Sequence, residues 1–207
     1  MARESIRPEG GPGSIRESVG TRIGLAALRD LAPGDIEAIL RYWYGSGDAH
    51  LDYLGIARSL LGTMEDTRRR FVRAIPSGDP DQRSLAFAIT LAGEFAGYTL
   101  LNRYSAEINY SHWHITNPAL RASGLSTALY PHRIKLYFEM TPISRLIHQT
   151  RTRNIGVNRM LDKYVAVAET RYIERPDGVA LPGEFHLRYV VRADIPRFFE
   201  KSPGSPS

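Results

Sequence analysis

The 207-residue chain contains no cysteine. That absence excludes a disulfide framework, a thiolate nucleophile, an enzyme-bound thioester, and any zinc or iron–sulfur site held by cysteine. Long apolar runs are also missing. Leu85–Leu91 is among the longest, far short of the roughly 18 residues a membrane span needs. There is no His-x-x-x-His pair, and His112 and His114 stand two apart, a spacing that suits a strand more than a helical metal site. No metal is therefore expected. No apolar signal core opens the chain, so a cytoplasmic location without membrane association is expected. Lysine is scarce: of 27 basic residues only Lys135, Lys163 and Lys201 are lysine, and the formal charge is +5. Arginine is the better bidentate binder of phosphate. The bias fits a GC-rich coding sequence, and it also fits a phosphate-bearing partner such as a nucleotide cofactor or RNA.

What is present is globular. Hydrophobic residues at 43% and charged residues at 24% supply a real core and exclude a wholly disordered chain. Residues 1–20 hold Pro8, Gly10, Gly11, Pro12, Gly13 and Gly20 and read as a flexible arm; residues 200–207 read as a flexible tail. One domain fills residues 21–199. Within it Arg22–Arg29 is a strand candidate. Pro33–Tyr44 is a helix with Ile36, Ile39, Leu40 and Trp43 on one face. Residues 50–75 are helical in one or two pieces. Leu85–Leu91, Phe95–Tyr104 and Glu107–Ile115 form an antiparallel meander with a turn at Ala92-Gly93-Glu94. A helix starts near Gly124 or Leu125, with Pro131 marking either a later start or a bend. Ile143–Gln149 is a strand and Asn154–Tyr164 a helix. Ala166–Ile173 and Phe185–Arg192 close the chain as strands. The order implies a mixed α/β (α+β) protein with a largely antiparallel sheet flanked by helices.

The most informative segment is Asn117-Pro118-Ala119-Leu120-Arg121-Ala122-Ser123-Gly124-Leu125-Ser126. A strand runs through small residues into a helix start. Free amides and the helix dipole there make an anion site. Gly124 allows close backbone approach, Arg121 adds a charge-assisted contact and Ser126 a hydroxyl. The alternative is a plain helix start with a glycine turn.

With the element order, this loop resembles the GNAT superfamily of acyl-CoA-dependent N-acyltransferases. The family pattern Gln/Arg-x-x-Gly-x-Gly/Ala is matched by Arg121-x-x-Gly124-x-Ser126, with Ser126 at the last small position. The run from Arg153-Asn154 through Asn158 to Asp162-Lys163 is similar to the family's later helix, in the form found in the branch that acetylates ribosomal-protein N-termini. Gly93–Tyr98 is similar to its second hairpin. The resemblance implies a GNAT-like domain using acetyl-CoA or another acyl-CoA as co-substrate. It implies that residues Arg121, Ala122, Ser123, Gly124, Leu125 and Ser126 cradle the pyrophosphate. Asn154 would contact the pantetheine arm; it is equally a helix N-cap. The position seven residues after Asn154, where many members carry a general-acid tyrosine, is Leu161.

The implied reaction is direct attack of a primary amine on the thioester in a ternary complex, which needs no enzyme nucleophile. It needs a base near neutrality and a donor to the carbonyl oxygen. Period two puts Ile108, Tyr110, His112 and His114 on one face of their strand, and His112 and His114 are the base candidates, with Glu94 a lesser one. Hydrogen-bonded sheet histidines are the alternative. His132, His148 and His186 read as structural. Asp48, His50 and Asp52 mark the acceptor side, where the amine is a peptide or a small molecule. A homodimer is the default assembly. Two other readings stand beside this one. Arg68, Arg69, Arg70, Arg73, Arg151 and Arg153 motivate a GNAT-fold transferase that takes its acyl group from aminoacyl-tRNA. Leu161 and the unassigned base motivate a non-catalytic acyl-CoA-binding protein.

Overall fold

The computed structural model describes residues 13–201 except Pro80, 104–107 and Asp177. Eight strands form one sheet in the order β1-β2-β3-β4-β5-β6-β8-β7. They are β1 (Ile15–Thr21), β2 (Gly24–Asp30), β3 (Ser84–Leu91), β4 (Glu94–Arg103), β5 (Ile108–Ile115), β6 (Arg145–Arg151), β7 (Glu169–Ile173) and β8 (Gly183–Val191). Every neighbouring pair is antiparallel except β5 and β6. The helices are α1 (Pro33–Gly45), α2 (Asp48–Leu54), α3 (Met64–Ala74), α4 (Leu125–Met140), α5 (Ile155–Leu161) and α6 (Ile195–Glu200). This is the mixed, largely antiparallel α/β arrangement expected.

Helices cover both faces, so the central strands carry apolar side chains on both. The continuous run in β3 has that cause: Leu85 to Thr90 are all buried. One core joins α4, α5 and α6 to the sheet through residues such as Tyr130, Phe138, Leu161 and Phe198. The other joins α1 and α3 to the opposite face through Ile39, Trp43, Phe71 and Tyr98. The α1 positions picked out by periodicity, Ile36, Ile39, Leu40 and Trp43, are all buried.

Two differences from the sequence reading have physical causes, and one alternative it left open is resolved. Residues 15–20, assigned to a flexible arm, belong to β1. This edge strand pairs with β2, packs only Val19 against the core, and is tied down by charge: Arg16 pairs with buried Asp30 at 2.6 Å, and Glu17 binds His132 at 2.9 Å and Lys135 at 2.6 Å on α4. Those partners are distant in sequence, so no local pattern marks the strand. α6 extends the fold to Glu200, packing Phe198 against Tyr130 and Tyr164. Finally, α4 begins at Leu125 and runs through Pro131 to Met140. Pro131 has no N–H for the Thr127 carbonyl, and the Tyr164 hydroxyl donates to that carbonyl instead, at 2.8 Å. The rest of the assigned arm, residues 1–12, and residues 202–207 of the assigned tail lie outside the described residues.

Candidate active site

The site begins where the sheet parts. β5 and β6 pair in parallel only from Ile108–Arg145 to Tyr110–Ile147. Beyond that β5 stays on β4 as far as Ile115, while β6 stays on β8 as far as Arg151. A cleft of about 150 Å³ opens between them, with His112, Trp113 and His114 on one wall and Gln149, Thr150 and Arg151 on the other. Thr116 donates to Ala96 across the same ladder. Alternation then points the peptide groups of His112 and His114 at β4, and the Trp113 N–H into the gap.

The two sequence-predicted histidines share the face that meets α1. His114 lies between two aromatic rings: Tyr98 stacks on it at 5.3 Å, and Trp43 meets it edge-on at 4.7 Å. Trp43 is fixed in turn, donating its indole N–H to the Tyr98 hydroxyl at 2.8 Å. Burial pushes His112 down to about 4, helped by Arg70 and Arg133. Burial pushes His114 down to about 3, helped by His112, His50 and Arg121. Both are therefore neutral at physiological pH, and burial opposes their protonation. The Tyr42 hydroxyl lies 3.3 Å from His114 Nδ1 and 3.0 Å from His50 Nε2. Tyr42 was not anticipated, because nothing local connects it to a strand 72 residues away.

The loop before α4 has the shape of an anion cradle. Asn117 accepts from the Ala119 amide, closing a turn. Ala122 at φ 60° and Gly124 at φ 90° are both left-handed. Such strain in a non-glycine residue clusters at functional sites. A Cβ on Gly124 would meet open space, so the glycine serves the backbone conformation and leaves room beside it. The amides of Ser126 and Thr127 have no backbone acceptor among the described residues, as a helix start dictates. Leu125 is different: its side chain is in the core, and its amide is taken by the Ser123 hydroxyl at 3.3 Å. Arg121 is exposed, and its charge acts on Tyr42, His50 and His114.

Asn154 is both of the things its sequence position allowed. Its side chain caps α5 by accepting from the Val157 amide, and it lines the cleft. Asn158 is structural, donating to the carbonyls of Arg151 and Thr152. A residue the sequence did not flag, buried Arg188, binds Asn158, Thr150, the Val165 carbonyl and Asp162, locking α5 to the far wall. Tyr164 is buried and committed to Thr127, so it takes no part in the cleft.

The roof is the connection between β7 and β8. Val179 accepts from the Ala57 amide, Leu181 donates to the Gly55 carbonyl, and Ile56 bridges Ala180. Arg151 reaches through it, donating to the carbonyls of Leu181 and Pro182. Glu94 is exposed at the turn between β3 and β4 and does not line the cleft. Of the acceptor-side acids, Asp48 pairs with Arg58, and Asp52 contributes its carbonyl to Arg153. His132 and His186 are held by Glu17 and Thr170, and His148 by Tyr130, all away from the gap. In the basic set, Arg68 and Arg69 are ion-paired with Glu37, Glu65 and Asp66. Among the described residues no group of three or more His, Asp or Glu side chains is arranged to hold a metal, and no helix is long and apolar enough to cross a membrane.

No protein-family model and no curated protein matches the sequence. Solved structures do match in fold. Mycobacterium smegmatis RimJ in complex with CoA-disulfide is 15% identical over 89% of this chain and 90% of its own, with a TM-score of 0.69. The aminoglycoside acetyltransferase AAC(6')-Ib with coenzyme A is 17% identical over 83% of this chain and 98% of its own, at 0.62. A GNAT-family acetyltransferase from Bacillus anthracis is 18% identical over 84% of this chain and 98% of its own, at 0.59. The chain has the GNAT fold.

Proposed function

We propose that this GNAT-fold chain is an N-acyltransferase that moves an acyl group, acetyl in the simplest case, from acyl-CoA to a primary amine. One observation carries the reading: the sheet parts between β5 and β6, and the parting lies against neutral His112 and His114. The left-handed loop at the start of α4 supplies unpaired amides for a pyrophosphate. The coenzyme A ligands of RimJ and AAC(6')-Ib support the same donor.

In this reading Arg121, the Ala122–Gly124 backbone and the amides of Ser126 and Thr127 hold the phosphates. Ser126 adds its hydroxyl, Leu125 anchors the loop in the core, and Asn154 meets the pantetheine arm. The acyl carbonyl lies in the gap, polarised by the Trp113 N–H. The amine enters between α1, α2 and the β7–β8 connection and attacks the carbonyl. His114, with His112 beside it, removes the amine proton, and coenzyme A leaves as the thiolate, which then takes up a proton to give the thiol. No covalent enzyme intermediate forms, consistent with a chain that has no cysteine.

Thermal unfolding tests donor binding. Acetyl-CoA at 100 times its dissociation constant is expected to stabilise the protein by about 2.7 kcal/mol. The Arg121→Ala, Gly124→Asp double variant is expected to lose that shift. A shift retained in the variant contradicts the loop assignment. No shift with acetyl-CoA but a salt-sensitive one with tRNA points to the aminoacyl-tRNA donor instead.

A further inference from the structure

We propose that His114, Tyr42 and His50 form a proton relay that carries the proton shed by the acceptor amine from the cleft to the protein surface. The proposal rests on the acyl-transfer reading and deepens it. Its ground is the geometry of one hydroxyl between two imidazoles: Tyr42 Oη is 3.3 Å from His114 Nδ1 and 3.0 Å from His50 Nε2. A phenol has one hydrogen, so it can donate to only one of these nitrogens and must accept from the other. The chain is therefore directional.

Its two ends lie in different places. His114 lines the cleft, and its ring is clamped by Tyr98 and Trp43, which leaves Nε2 as its second nitrogen for substrate. His50 is on α2 and half-buried, with its ring edge-on to Tyr42 at 5.6 Å. His114, half-buried inside an aromatic box, gains on protonation a charge that is poorly solvated there. Handing the proton outward removes that charge.

The steps balance. At rest His114 Nδ1–H donates to Tyr42 Oη, and Tyr42 O–H donates to His50 Nε2. The amine proton arrives at His114 Nε2 as the N–C bond to the acyl carbon forms. His114 Nδ1 then gives its proton to Tyr42 Oη, and Tyr42 passes its own to His50 Nε2. His114 ends neutral as the other tautomer, Tyr42 ends a phenol, and His50 ends an imidazolium that loses its Nδ1 proton to water. When His114 Nε2–H then protonates the departing thiolate, a proton from water returns through His50 and Tyr42 to His114 Nδ1 and restores the resting tautomers. Burial holds Tyr42 up, to about 12, so it relays as a phenol and does not ionise. The charged and titratable groups acting on the chain are His112 and Arg121 on His114, and Arg121 on Tyr42 and His50.

Nitrogen-15 NMR of the histidine side chains tests the direction without any substrate. Unliganded protein is expected to show His114 as the Nδ1–H tautomer and His50 with Nε2 unprotonated. Tyr42→Phe is expected to release His114 from that tautomer while leaving the fold intact by circular dichroism. Turnover is the second readout: Tyr42→Phe is expected to lower kcat at least tenfold with KM for acyl-CoA unchanged, and His50→Gln to lower kcat in the same sense. An Nε2–H tautomer at His114 in the unsubstituted protein overturns the relay, as does wild-type kcat in Tyr42→Phe. Absence of any acyl transfer by the unsubstituted protein is a failure of the acyltransferase reading, and the tautomers still decide whether the hydrogen-bond order is as stated.

Discussion

Arg133 is 3% exposed, and its Nε and Nη2 have no hydrogen-bond partner among the described residues. Its guanidinium stacks over Trp113 at 4.0 Å and over Tyr130 at 5.2 Å, beneath the wall of the cleft. Burial lowers its pKa, with Tyr137 and Tyr130 acting the other way. A buried cation with no counter-charge costs several kcal/mol, of which a desolvated cation–π contact returns about 2. Arg133→Met keeps the shape and removes the charge, and it is expected to raise the free energy of unfolding by about 1–4 kcal/mol. Chemical denaturation reads this; a loss of stability would mean the stacking outweighs desolvation. Legibility at this scale followed locality. Period two placed His112 and His114 on one face and a helix start placed Asn154, while the candidate roles of all three came from the family resemblance. Arg188, Tyr42 and Arg133 were not found, since each owes its role to partners on another element.

The elements divide in the same way. β3 announces itself because helices on both faces make its run apolar, and α1 because Pro33 opens a clean stripe. β1 and α6 escape notice: one is an edge held by Glu17 and Arg16, the other a six-residue helix. The loop into α4 was legible as a motif, since its glycine and small residues are contiguous. The roof was not, being assembled from α2, β6 and the β7–β8 connection. Gly55 is its keystone. It ends α2 at φ 71°, and a Cβ there would run into the side chain of Arg151. Gly55→Ala is therefore expected to cost about 1–3 kcal/mol of stability and to raise KM for the amine, with donor affinity unchanged. Denaturant unfolding and calorimetric titration with acetyl-CoA check the two halves. Full stability would contradict the placement of Arg151 against Gly55.

At the scale of the whole molecule, two apolar cores grip one sheet, and that sheet parts at a single seam. His112, His114 and the connection between β7 and β8 converge on the seam. Element order together with the Arg121–Ser126 loop and the Asn154–Lys163 helix pointed to this fold, although sequence identity to these similar structures stays below one fifth. Packing patterns tolerate substitution that erases residue identity. The central claim is amine-dependent acyl transfer, and the missing cysteine makes it easy to read. A thiol reagent has nothing on the protein to react with, so thiol appearing from acetyl-CoA reports chemistry alone. The measurement is thiol release with acetyl-CoA and a panel of primary amines spanning a polyamine, an aminoglycoside and a peptide N-terminus. The account predicts amine-dependent release for at least one class, with the acetylated amine seen by mass spectrometry. Stabilisation by acetyl-CoA without release above hydrolysis for any amine would contradict it and leave a donor-binding protein that is not a transferase.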